Sequence, residues 1–224
     1  MARKSGIKLT VVVVVMTISE GVLKTLLVRH DDNHWSLPGG IPHSDEPLTK
    51  AAERIVLESA GIDMEYLEQL FTFGDFIPDH GARVIEVAYH GLVPSALLRI
   101  DKLATRQTIS WFAEDDQPPM IDNHQEVVSV AHQRLRGKLA YTAVGFELLP
   151  DKFTLADLQN LYEVILGKEL DKRNFRKKIN DLGILEPTGE ERTSRKGRGR
   201  PASLYRFKSE VFHTIETKGD IFPF

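Results

Sequence analysis

The chain has 224 residues, 42% hydrophobic and 27% charged, with a formal net charge of −3. This is ordinary for a soluble globular protein of one large domain or two small ones. The absence of cysteine excludes disulfides and thiolate metal sites and fits a reducing, cytoplasmic setting.

The first strong signal is Leu9 to Met16, which holds five consecutive valines and follows Arg3, Lys4 and Lys8. A bilayer span needs about 20 apolar residues, so this run is too short, and no small-residue cleavage site follows. β-Branched residues favour a buried strand. With Ser19-Glu20-Gly21 as a turn and Val22 to Val28 as a second apolar run, two joined strands are predicted. Strands are expected at Lys8–Thr17, Val22–Arg29, Leu67–Phe73, Arg83–Val93 and Thr108–Phe112. A helix is expected over Pro47–Ala60, stopped by Gly61. A second fits Gln125–Leu139, with Val127, Val130, Leu135 and Leu139 on its inner face. The mix predicts an α/β (α+β) fold with a mixed sheet.

The chemistry-bearing segment runs from Gly40 to Ile62, GIPHSDEPLTKAAERIVLESAGI. Gly40, Glu46, Arg54, Val56, Glu58, Gly61 and Ile62 match the spacing of a Nudix box, a glycine followed by a glutamate and then R-E-U-x-E-E-x-G-U, where U is aliphatic. Two of the acidic positions hold Ile55 and Ser59. On a helix, positions 55, 58 and 59 are expected to converge on one side. Three carboxylates there would hold Mg²⁺, a hard cation wanting oxygen ligands, and the metal would polarise an attacking water. Glu58 alone makes a poor magnesium site, and Glu46 lies more than two turns earlier. No cofactor is therefore expected. The preceding Trp35-Ser36-Leu37-Pro38-Gly39-Gly40 is a tight entry whose Gly39 and Gly40 allow close backbone approach and positive φ. A pocket that binds a nucleotide-like or sugar ligand without cutting it is the expected use, with Gly39, Gly40, Glu46, Arg54, Glu58, Phe73 and Arg83 as candidate effector contacts. His34, His43, His80, His90 and His124 lack metal-ligand spacing. Trp35 and Trp111 read as core aromatics.

A domain boundary is expected near Leu149-Pro150, giving domains 1–149 and 150–224. The front is acidic: residues 1–150 carry 14 Lys+Arg and 20 Asp+Glu (14 − 20 = −6). Residues 151–224 carry 15 and 12 (15 − 12 = +3), and 172–208 carry 12 and 4 (12 − 4 = +8). A basic back half points to a polyanion. Thr154 and Asp157 start a helix with Leu155, Leu158, Leu161 and Ile165 inward. Asp171 caps the next, Lys172–Leu182, with Phe175, Ile179 and Leu182 inward. Ile184–Pro187 and Leu204–Phe207 read as short strands around a flexible basic tip, TGEERTSRKGRGRPAS. This is the order of a winged helix-turn-helix. Lys172, Arg173, Asn174, Arg176 and Lys177 form the outward face, suited to base edges and phosphates, and Arg198 and Arg200 suit a wing in a minor groove.

These motifs together resemble the Nudix-related transcriptional regulators, the NrtR-like family. The resemblance covers LPGG, the degenerate box, FTFGDF, RVIEVAYHGLVP, NHQEVV, RLRGKLAYT, the run from Leu148 to Gly189 and GRGRPASLYRF. It implies a Nudix fold fused to a winged helix, working as a homodimer on a palindromic double-stranded DNA operator. It also implies a small effector, ADP-ribose in the branch that controls NAD metabolism or a pentose-type sugar in branches that control sugar catabolism. One departure concerns the segment after the central FG, where family members often carry an Arg-Asp-Pro-Arg-Gly-like run. Here it reads Ile77-Pro78-Asp79-His80-Gly81-Ala82-Arg83, which leaves Arg83 to take over a phosphate contact or makes the ligand an uncharged sugar. The alternatives from other classes are a Nudix hydrolase of ADP-ribose or a related nucleoside diphosphate, and a sensor whose basic tail meets an acidic protein.

Overall fold

The computed structural model describes residues 7–30, 34–74, 83–98, 108–193 and 201–208. The chain divides into two compact units, Met1–Ser19 with Leu23–Arg134, and Glu20–Val22 with Leu135–Phe224.

The first unit is built on a seven-stranded sheet. Its strands are β1 (Lys8–Ser19), β2 (Val22–Arg29), β3 (Trp35–Ser36), β4 (Gly39–Gly40), β5 (Tyr66–Phe73), β6 (Val84–Leu92) and β7 (Thr108–Ala113). Glu20 and Gly21 both take positive φ, 56° and 75°, the backbone of a two-residue turn between neighbouring strands. The order is β3-β2-β1-β6-β5, with β4 on β1 and β7 on β2. β1 and β6 run parallel, from Lys8↔Val84 to Met16↔Leu92, and β5 and β6 antiparallel. The sheet is mixed, as expected.

β1 reads as a continuous apolar run because both its faces are covered. Val11, Val13 and Val15 pack against helix α1 (Leu48–Ala60) through Ala51, Ala52, Ile55 and Val56. The opposite face receives helix α2 (His124–Lys138), where Thr25 Oγ1 lies 3.0 Å from His132 Nε2. The buried positions of α2 are His124, Val127, Val128, Ala131, His132 and Leu135, spaced by three and four. Val130, expected inward, is only half-buried. His124 and His132 complete the inner face instead, and a histidine does not register in an apolar count.

In the second unit, α3 (Leu155–Leu166) starts with a reciprocal capping box: Thr154 Oγ1 accepts the Asp157 N–H, and the Asp157 carboxylate accepts the Thr154 N–H. α4 (Lys172–Leu182) is capped by the Asp171 carboxylate on the Asn174 N–H. Gly167 and Gly183 end the two helices in the left-handed region, at φ 65° and 64°. Leu158, Leu161, Ile165, Phe175 and Ile179 are buried as expected, and Tyr162 is buried as well. Tyr162 packs edge-on to Phe175, and burial pushes its phenol far above the ordinary value. Leu155 and Leu182 are half-buried.

The hairpin strands are β8 (Leu185–Arg192) and β9 (Ala202–Phe207). β8 therefore runs on through Thr188–Arg192, the start of the stretch expected to be a flexible tip. Pairings Glu191↔Ser203 and Arg192↔Ala202 beyond a bulge carry it. Phe153 adds a rung, accepting from the Tyr205 N–H (2.8 Å) and donating to the Tyr205 carbonyl (3.1 Å). Residues ahead of α3 pack here too: Phe146 stacks on Phe207 with ring centroids 4.1 Å apart. A Cβ at Gly145 would sit 2.8 Å from a Leu139 methyl and 3.0 Å from a Leu161 methyl, so any larger residue there makes those side chains shift.

Candidate functional site

The box remnant is organised around Arg54. Its Nε donates to Glu46 Oε2 at 3.0 Å, its Nη2 donates to Glu46 Oε1, and its Nη1 donates to Glu58 Oε2 at 3.2 Å. Glu46 Oε1 also accepts the His43 N–H at 2.8 Å. The hydrogen bond from Arg54 comes first in holding the Glu46 carboxyl down to about 2, and the same pair raises the Arg54 guanidinium. Arg54 thus ties the loop before α1 to the middle of the helix.

The three box positions do not converge as expected. Ile55 is buried in the core, 3% exposed, with its Cδ1 3.4 Å from where a Gly40 Cβ would stand. Ser59 spends its hydroxyl on the Ile55 carbonyl at 2.6 Å. The Glu58 side chain is 62% exposed and paired with Arg54. Among the described residues no cluster of three His, Asp or Glu side chains is placed to hold a metal ion. Neither Gly39 nor Gly40 takes a positive φ. Their contribution is close approach alone: a Cβ on Gly39 would lie 3.0 Å from Val12 Cγ1.

A cavity of about 490 Å³ opens between β5 and the start of α2. Phe71 and Phe73 line one side, edge to face with centroids 5.3 Å apart. Asn123, Glu126 and Val130 line the other, and Gly74 closes the end of the strand. An Arg83 guanidinium nitrogen comes within 3.9 Å of where a Gly74 Cβ would stand. Of the seven expected effector contacts, then, Phe73 lines the cavity and Arg83 lies near it. Gly39, Gly40, Glu46, Arg54 and Glu58 are not among its described lining. Phe71, in FTFGDF, and Asn123 and Glu126, in NHQEVV, lie in stretches that carry the family resemblance, but they come together only through the packing of α2 on the sheet.

The second unit presents a cationic face. α4 buries Phe175 and Ile179 and exposes Lys172, Arg173, Asn174, Arg176 and Lys177. Lys172 and Arg176 turn toward a cleft of about 460 Å³ that they share with Thr154, Ser203 and Tyr205. Arg198 and Arg200 lie outside the described residues. Arg192, at the end of β8, grips both oxygens of Asp157 at 2.8 and 2.7 Å. Burial pushes the Asp157 carboxyl up, but hydrogen bonds from Arg192 and Thr154 outweigh it and hold the group below the usual aspartate range. Lys152–Glu190 (2.5 Å) and Arg206–Asp151 (3.0 Å) add two more ion pairs between the segment ahead of α3 and the hairpin. No described helix is long and apolar enough to cross a membrane.

Comparison with known proteins places both units. Residues 8–130 match the family model of the NUDIX domain, and residues 145–207 that of the NrtR DNA-binding winged helix domain. An Acinetobacter baylyi protein named ADPR responsive transcriptional repressor NtrR is 33% identical over 208 residues, covering 89% of this chain and 81% of that one. The crystal structure of Shewanella oneidensis NrtR with a 27mer DNA superposes with a TM-score of 0.80 at 32% identity, covering 92% of this chain and 95% of that one. The NUDIX domain of the same Shewanella protein, crystallised with ADP ribose, matches with a TM-score of 0.51 at 29% identity, over 58% of this chain and 89% of that one. Degenerate box, winged helix and relatives agree: the chain belongs to the NrtR family of Nudix-related transcriptional regulators.

Proposed function

We propose that this protein is a transcriptional repressor that binds a two-fold DNA operator as a homodimer and releases it when a small effector occupies the Nudix unit. Residues 150–224 bind the DNA and residues 1–149 the effector. The observation that carries this reading is α4. A helix with Phe175 and Ile179 buried and Lys172, Arg173, Asn174, Arg176 and Lys177 exposed has the shape and charge of a major-groove reader. Its setting, in a chain related to an ADPR-responsive repressor and to a structure solved on DNA, supports operator binding. ADP-ribose is the first effector to try, because a relative's NUDIX domain was crystallised with it. A pentose is the second, since the described lining of the cavity, with Phe71, Phe73, Asn123 and Glu126, is aromatic and polar rather than cationic, and Arg83 is only near it.

Hydrolysis is not the proposed activity. The box side chains do not fit a magnesium ion. Ile55 fills core space where a carboxylate is needed, and Glu46 and Glu58 both neutralise Arg54. Two carboxylates already engaged by one guanidinium leave little charge to strip water from Mg²⁺.

The direct test is fluorescence anisotropy on labelled upstream DNA, with ADP-ribose and pentoses added in turn. Binding to the native sequence at least about a thousandfold tighter than to random duplex, and weakening on addition of one ligand, is the expected result. Equal affinity for all duplexes defeats the operator reading. AMP release from ADP-ribose with Mg²⁺ or Mn²⁺, abolished in Glu58→Gln, would establish the hydrolase instead.

A further inference from the structure

We infer that Arg192 and Asp157 are positioning residues for DNA binding: their ion pair holds the outer half of the β8–β9 hairpin against α3 and so sets the cationic cleft between α4 and β9. This rests on the proposed reading of α4 as the DNA-reading helix. Neither residue belongs to the basic set on α4 or the wing, and neither is expected to touch the DNA.

Different forces hold the two halves of the hairpin. The inner half pairs Leu185–Pro187 with Tyr205–Phe207 and is joined to the body of the unit. Phe153 exchanges two backbone hydrogen bonds with Tyr205, the Lys208 N–H donates to the Ile184 carbonyl at 2.8 Å, and Phe207 stacks on Phe146. The outer half pairs Glu191 with Ser203 and Arg192 with Ala202. All four of these residues are exposed, so no core packing fixes their direction. Between the halves the register shifts and Gly189 takes φ 76°. A bulge bends a strand and interrupts the ladder, so the outer half needs a tether of its own.

Arg192 supplies it. Its Nη2 donates to both Asp157 oxygens, at 2.8 and 2.7 Å, and lies 3.4 Å from Thr154 Oγ1. Asp157 is itself fixed, because its carboxylate also accepts the Thr154 N–H at the start of α3. Lys152–Glu190 ties the bend between the halves to the same segment. The cleft is lined by what this tether holds. Ala202 and Ser203, paired with Arg192 and Glu191, line it from the hairpin. Lys172 and Arg176 line it from α4, and Thr154, which Arg192 approaches, lines it from the start of α3. Two cations and a serine hydroxyl suit a phosphodiester. Arg192 itself is neutralised by Asp157. The Asp157 carboxyl is held below the usual aspartate range, so the pair is intact at neutral pH. Both partners are partly exposed, and an exposed pair stabilises a fold little. Its loss is therefore felt where the outer hairpin meets DNA, because a segment that must be ordered on binding lowers affinity.

Charge alone and positioning predict opposite signs for Asp157→Asn. Removing a carboxylate beside the cleft strengthens DNA binding if only the field matters, and weakens it if the tether matters. The experiment is fluorescence anisotropy of the full chain on upstream and random duplexes at several salt concentrations, for wild type, Asp157→Asn, Arg192→Gln and Arg192→Lys, alongside thermal unfolding without DNA. The expected result is a loss of upstream-duplex affinity of at least about fivefold in Asp157→Asn and Arg192→Gln, partly recovered in Arg192→Lys, which keeps a cation on Asp157. The salt slope of Arg192→Gln stays at the wild-type value, because a residue already neutralised releases no counterion. Its melting temperature also matches wild type, since the Thr154–Asp157 cap is untouched. Asp157→Asn that binds the upstream duplex as tightly as wild type, or more tightly, overturns the inference and leaves the operator reading standing. A salt slope reduced by about one in Arg192→Gln also overturns it, because Arg192 is then a phosphate contact. So does a melting temperature in Arg192→Gln that falls in step with the affinity, which assigns the pair to stability alone. If wild type holds upstream and random duplexes equally, the operator reading and the tether fall together.

Discussion

At the residue scale the box keeps its spacing while Ile55 and Ser59 stand at two of its acidic positions. Ile55 lies 3% exposed in the core formed by β1, α1 and β6. Restoring the family glutamate there, Ile55→Glu, loses apolar burial and puts a carboxyl among Val11, Val13 and Ala51. Both effects destabilise, by on the order of 3 kcal/mol or more together. Chemical denaturation is expected to show that loss without any gain of Mg²⁺-dependent AMP release, and a stable, active Ile55→Glu would refute the core assignment. Glu46 gives a pH prediction. Its folded value, about 2, lies below the ordinary 4.5. A depressed carboxylate stabilises fully above its unfolded value and loses that contribution as pH falls toward the folded one. The stability gap between wild type and Glu46→Gln should be constant from neutral pH to about 4.5 and should close between about 4.5 and about 2. Acid titration followed by circular dichroism measures it, and a gap that persists at pH 2 contradicts the Arg54 pairing.

At the scale of the element, the proposed DNA reading divides the exposed side of α4 between two tasks. Arg173→Ala and Asn174→Ala are expected to relax sequence preference, by about 1–3 kcal/mol at the contacted base pair. Lys177→Ala should weaken binding to every sequence and reduce the salt slope by about one. Arg176, first grouped with the groove readers, faces the cleft shared with Thr154, Ser203 and Tyr205, so Arg176→Ala should behave like the lysine variant. Competition between specific and random duplex at several salt concentrations separates the two behaviours. If all these variants hold the operator as wild type does, α4 is not the reading helix. The hairpin has its own device: Asp157 caps α3 and also receives Arg192 from β8. Thr154→Ala removes half of the cap and should cost about 1 kcal/mol of stability, read from the denaturation midpoint.

At the scale of the whole molecule, repression needs linkage. An effector that weakens operator binding by a given factor must itself bind more weakly to the operator complex by the same factor. Coupling of about 1–3 kcal/mol is typical. Measuring ADP-ribose affinity with and without operator should return equal and opposite effects. A ligand that binds equally well to free and DNA-bound protein is not the effector. Light scattering of the free protein tests the proposed dimer.

The amino-acid sequence alone determined the mixed fold, the winged-helix order and the family, because these depend on local signals. A valine run makes a strand, Thr154 and Asp157 open a helix, Gly167 and Gly183 close two, and the gapped box is readable at fixed spacing. It also determined that two box carboxylates are absent. Tertiary structure alone decided which residues line the cavity between β5 and α2. Phe71 and Phe73 on β5 are far along the chain from Asn123, just ahead of α2, and from Glu126 on it, and nothing in the spacing of the two stretches says that they line one cavity. They meet because α2 docks His124 and His132 onto one face of the sheet. The register of β1, β6 and β5 then sets single side chains next to each other, and strand pairing between distant segments leaves no local periodic trace for a sequence to reveal.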